Sequence, residues 1–177
     1  MHIKHLLVLP LAVALLGGCS PTYNWRDYTS SDGAYQVLFP AKPASHTRSV
    51  DLGGIRVDMT MTAAEVEGST FAVGTALAPD PVLAQATLPA MRRALLRNIG
   101  APEEAADAAG GAGMLKPPSI GAALDVDATG KGPGGPVRLV GRFTAKGARV
   151  YQIIVVGKPG AAPPEQIAQF LTSFKPQ

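Results

Sequence analysis

The chain has one cysteine, Cys19, so no disulfide can form within it and the fold must rest on its hydrophobic core. Charge is scarce at 16% Asp, Glu, Lys and Arg, and aromatics make up 6%. A basic stripe interleaved with aromatics is missing, which removes the usual footprint of a nucleic-acid binder. The longest apolar run, Leu6–Leu16, covers eleven residues. Spanning a bilayer takes about 20, so no stable transmembrane helix is expected. Histidine is nearly absent too. Past residue 18 only His46 remains, and one imidazole without a free thiol excludes a His/Cys zinc site. No metal and no cofactor are expected.

The short apolar run has its own meaning. Lys4 precedes it, Pro10 interrupts it, and Gly17, Gly18 and Cys19 follow it. A charged start, an apolar middle and a small-residue exit form a secretory signal. Leu16-Gly17-Gly18-Cys19 resembles a bacterial lipobox, in which the thiol takes a diacylglycerol group and the bond after Gly18 is cut. The resemblance implies a signal peptide over 1–18, lipidation of Cys19 and a tether over 19–22. Three acyl chains, at about 0.8 kcal/mol per buried CH₂, anchor permanently. Ser20, where Asp would signal inner-membrane retention, implies the periplasmic face of the outer membrane. Removing Lys4 with the leader leaves 15 basic and 13 acidic side chains, a net charge near +2.

The remainder, 23–177, reads as one domain. Tyr23–Tyr28 and Tyr35–Phe39 are expected strands around a Ser30–Gly33 turn. Gly53-Gly54 marks a hairpin between strands at 47–52 and 55–66. Val57, Met59 and Met61 alternate with Asp58, Thr60 and Thr62, which predicts one buried and one wet face. A strand over 70–77 follows. Between Pro81 and Ile99, Leu88, Met91, Leu95 and Ile99 recur at helical spacing, with Arg92, Arg93 and Arg97 off the stripe. Residues 101–121, rich in Ala, Gly and Pro, read as an irregular excursion. Strands are expected again at 122–127, 137–144 and 149–156, with Gly130–Pro136 as a turn. Pro163 and Pro164 open a last helix carrying Ile167, Phe170, Leu171 and Phe174 on one side. About eight strands and two helices, with hairpins dominating the first part, give an α+β fold: an antiparallel sheet of short strands covered by helices.

Two stretches, Tyr35-Gln-Val-Leu-Phe-Pro40-Ala-Lys-Pro43 and Phe170-Leu-Thr-Ser-Phe174-Lys175, resemble the two ends of PsbP-like domains, a superfamily that includes DcrB-like periplasmic proteins. The resemblance spans roughly Trp25–Lys175. It implies a sheet–helix sandwich that binds or assembles rather than catalyses.

Several patterns could carry chemistry. Asp125-Val-Asp127-Ala-Thr129-Gly130 resembles the first motif of haloacid-dehalogenase phosphatases, where the first Asp attacks phosphorus. It also matches the opening of a calcium loop, but Pro136 stands where a bidentate Glu is required. The plainer reading is a strand end running into a turn, with Asp and Thr capping the backbone. Glu65 and Glu67 would share one strand face. His46 lies near Ser45, Ser49 and Asp51 without a nucleophile elbow. Gly110-Gly111-Ala-Gly113 lacks the strand-before, helix-after context of a phosphate loop. The three arginines could form an anion-binding face.

No catalytic residue is therefore assigned. The expectation is a non-enzymatic, lipid-anchored envelope module whose partners are membrane lipid through acylated Cys19 and a membrane-proximal protein, with no nucleic acid. The alternative is a hydrolase using carboxylates that the sequence does not single out. Tyr23 and Trp25, nearest the tether, are candidates for the bilayer interface.

Overall fold

The computed structural model describes residues 21–102 and 123–177. The signal peptide, its cleavage position Gly18, the lipidation residue Cys19, the glycines at 110–113 and all but the first two residues of the 101–121 excursion lie outside the described residues.

Nine strands and two helices are described: β1 (Arg26–Ser30), β2 (Tyr35–Phe39), β3 (Ala44–Asp51), β4 (Arg56–Val66), β5 (Ser69–Leu77), α1 (Pro81–Asn98), β6 (Leu124–Gly132), β7 (Gly135–Lys146), β8 (Arg149–Gly157), α2 (Pro164–Ser173) and β9 (Lys175–Pro176). A six-stranded sheet runs in the order β3-β4-β5-β8-β7-β6, and a three-stranded one in the order β1-β2-β9. Every pairing is antiparallel. The broad α+β expectation therefore holds, with strands dominating.

The central strands of the large sheet are covered on both faces. One face packs on α1 through Met59, Ala72, Ala76, Leu139, Phe143 and Ile154, which meet Leu88, Met91 and Leu96 of the helix. The other packs on the small sheet and α2 through Phe71, Val73, Tyr151 and Ile153, which meet Tyr35, Phe39, Phe170 and Phe174. This corrects the reading of β4 in part. Its odd positions face α1; of the even ones, Asp58 is exposed and Thr60 half-buried, whereas Thr62 is covered by the second layer and 2% exposed.

Local chemistry accounts for the element ends. Asp80 caps α1, its carboxylate accepting from the Leu83 amide at 2.9 Å, with Pro81 opening the helix. Gly53 and Gly54 turn the β3–β4 hairpin at φ +71° and +94°, values that favour glycine, and the Gly54 amide donates to the Asp51 carboxylate at 2.7 Å. Phe174 lies one residue past α2 and is buried there in extended backbone.

Several boundaries differ from expectation. The first strand begins at Arg26; ahead of it Tyr23 and Trp25 are held by ring packing, and the Asn24 amide donates to the Pro40 carbonyl at 2.8 Å. β3 starts at Ala44, three residues early. In α1 the fully buried position is Leu96, with Leu95 only partly buried. The largest change is at β6, which continues through Gly130 to Gly132 and pairs there with Gly135, so the turn is Pro133-Gly134 alone. Gly130 is needed for packing: a Cβ there would stand 1.9 Å from the Ile99 carbonyl oxygen at the end of α1. A ninth strand, β9, was not expected; it brings the chain end back beside β2.

Candidate functional site

Register, not sequence proximity, assembles the most distinctive site. Thr47 pairs with Thr60, Thr60 with Thr75, Thr75 with Tyr151, and Tyr151 with Thr144. Five hydroxyl side chains thus form one row across five strands, on the face turned toward the small sheet. The neighbouring row begins Ser45–Thr62. Period-two alternation keeps all of these on the same side. The hydroxyls of Thr47 and Thr60 are bonded at 2.8 Å, and those of Ser45 and Thr62 also at 2.8 Å.

The small sheet leaves one end of this face uncovered. There a cleft of about 310 Å³ opens between the β1–β2 turn and the ends of β3, β4 and β5. Ser45, Thr60, Thr62 and Thr75 line its floor, Tyr28 and Ser30 one wall, and Asp32, Asp58, Leu77 and Arg149 its rim. The wall is fixed in place: the Tyr151 hydroxyl donates to the Ala34 carbonyl at 2.9 Å, and the Gly33 amide donates to Ser30 Oγ at 2.9 Å. Beside the floor, Tyr35 is 1% exposed. Burial, partly offset by the nearby Thr62 and Ser30 hydroxyls, pushes its phenol up to about 12. Thr75 is 4% exposed, and its hydroxyl is buried without a hydrogen-bond partner. A buried, unpaired hydroxyl costs free energy.

The Asp-x-Asp-x-Thr-Gly stretch lies elsewhere, in the middle of edge strand β6. Arg142 grips Asp125 with Nε–Oδ1 2.7 Å and Nη2–Oδ2 2.9 Å, and Arg138 grips Asp127 with 2.9 and 2.8 Å contacts. Both are bidentate cross-strand pairs. Burial and the Asp127 contact act oppositely on Arg138, and the carboxylate contact dominates, raising its pKa. Asp125 and Asp127 are thus tied up as strand-pairing charges, and the strand-end reading of the motif is corrected with them.

The other candidates do not converge. His46 pairs in register with Met61 and lies on the α1 side of β3, opposite Ser45, Thr47 and Ser49, so no triad forms. Glu65 is on β4, whereas Glu67 sits in the β4–β5 turn at φ +51°, so the two share no strand face. Arg93 and Arg97 are exposed on α1, and Arg92 is half-buried. Among the described residues, no three His, Cys, Asp or Glu side chains are grouped to hold a metal ion. No described helix is long and apolar enough to cross a membrane.

Tyr23 and Trp25 are committed to the domain. They stack on one another at 6.2 Å, both meet Phe71 edge-on, and Trp25 Nε1 donates to Gln166 at 3.1 Å. Burial, then the charges of Glu67 and Glu165, push the Tyr23 phenol up. The chain is therefore fixed from Tyr23 onward at the β4–β5 turn end of the large sheet. The cleft is at the other end, because β5 runs from Ser69 beside Tyr23's partners to Leu77 on the rim.

Sequence reasoning missed the cleft because its residues come from six segments. The one signal within reach was the threonine alternation of β4, whose partners only the register identifies. Compared with protein-family models, curated proteins and solved structures, the chain matches none of them, so the lipobox and PsbP-like resemblances rest on the residues quoted for them.

Proposed function

We propose that this chain is a lipid-anchored envelope protein with a PsbP-like domain that binds a polar ligand in the hydroxyl-lined cleft without transforming it. The observation that carries the binding reading is a preformed polar cleft floored by the hydroxyl residues Ser45, Thr60, Thr62 and Thr75. The anchor reading comes from Leu16-Gly17-Gly18-Cys19.

The two readings fit one another geometrically. With Tyr23 packed on Phe71, only Ser20, Pro21 and Thr22 separate the lipidated residue from the body of the domain. Such a tether reaches about 10–15 Å. The nine residues of β5 span about 25–30 Å. The cleft would then open away from the bilayer while the whole domain stays close to it, which keeps a membrane-proximal partner within reach and turns the cleft toward periplasmic solutes. The outer membrane is the expected site.

Mass spectrometry of membrane-extracted protein, with threonine-methyl NMR of the same material, tests both halves. An acylated N-terminal Cys19, and envelope solutes that shift Thr60, Thr62 and Thr75, are expected. An unmodified N-terminus starting elsewhere removes the anchor. Shifts confined to α1 remove the cleft.

A further inference from the structure

The cleft's chemistry narrows its ligand. We infer that it takes a neutral polyhydroxylated molecule, a mono- or disaccharide, an assignment that rests on the cleft being a binding site. Its floor is built from threonine and serine hydroxyls, each able both to donate and to accept. A sugar presents the same two-way groups at similar spacing. An anion would want donors only, and a cation acceptors only. The rim carries two carboxylates, Asp32 and Asp58, against one guanidinium, Arg149, so the local charge repels anions. Carboxylates accept hydrogen bonds from adjacent sugar hydroxyls, while Arg149 donates to a ring or glycosidic oxygen. Tyr28 supplies an aromatic wall for the apolar edge of a sugar ring. The volume, about 310 Å³, lies at the small end of the range for ligand pockets, and it suits one or two sugar rings.

Thr60, half-buried on the floor, and Asp58, exposed on the rim, are the groups a sugar can reach. The experiment is a titration of threonine-methyl-labelled mature protein, acylated and held in nanodiscs, with four probes: maltose, diacetylchitobiose, putrescine and succinate. At least one disaccharide should shift Thr60, Thr62 and Thr75 saturably. Thr60→Val and Asp58→Asn should each weaken that binding about tenfold, the size expected for one lost hydrogen bond to a polar or charged group. If putrescine or succinate shifts the cleft threonines and neither sugar does, the sugar assignment is wrong and the binding cleft stands. If no probe moves them, both fall. Equal sugar affinity in Thr60→Val and the parent would also overturn the assignment.

Discussion

The two ends of one sheet face are built from opposite materials. At the end where the chain enters, Tyr23, Trp25, Phe39, Phe71 and Phe170 interlock at centroid distances of 5.4–6.2 Å. At the far end the same strands present threonine and serine to an open cleft. The sheet does not change between the two; what covers it does. Most of the domain's few aromatics are concentrated where α2 and β2 close the layer, and each such pair adds about 0.5–1.5 kcal/mol beyond area burial. Cohesion is concentrated at the end where the chain enters, and the proposed anchor and ligand site would lie at opposite ends of the strands.

The comparison can be broken hardest at the aromatic end. Phe170 is fully buried between Phe39 and Phe71, so Phe170→Ala should cost about 3–5 kcal/mol in denaturant unfolding. That is a large part of a typical 5–15 kcal/mol total. A loss below about 1 kcal/mol would show α2 to be surface-mounted. On the opposite face, Leu88→Ala should cost about 2–4 kcal/mol, because Leu88 is buried in the contact between α1 and the sheet. Removing the Asp80 cap with Asp80→Ala should cost about 1 kcal/mol.

Tyr35, buried between the two ends, gives a pH signature. Its phenol ionises near 12 in the folded protein against 10 when unfolded, so the folded state holds the proton more tightly. The stability this provides is complete below pH 10 and is lost as the pH rises from 10 through 12. Tyr23 and Tyr151 shift the same way. The melting temperature should therefore fall across that window, and less steeply in Tyr35→Phe. A flat profile would place Tyr35 in contact with water. The smallest effect belongs to the hydroxyl end, where Thr75→Val should raise stability by about 0.5–1 kcal/mol.

Local signals made most of the fold legible. Gly53-Gly54, Pro40 and the 3.6-residue periodicities of both helices announced the elements that hydrogen-bond near in sequence. Where readings failed, a tertiary neighbour was responsible. Gly130 looked like a turn residue but is a glycine because the Ile99 carbonyl crosses it. Thr62 looked solvated and is covered by the second layer. Asp125 and Asp127 read as caps at a strand end, but Arg142 and Arg138, eleven and more residues away, pair with them across the strands. The cleft was invisible for the same reason, since its row of hydroxyls exists only once five strands are in register.

The claim that joins these pieces is orientation: an anchored aromatic end and a free hydroxyl end. Paramagnetic broadening of the acylated protein in nanodiscs doped with spin-labelled lipid tests it most directly. Amides of Tyr23, Glu67 and Glu165 should broaden strongly, while those of Asp58, Leu77 and Arg149 keep their intensity. Strong broadening at Asp58 and Arg149, or none anywhere, would contradict it.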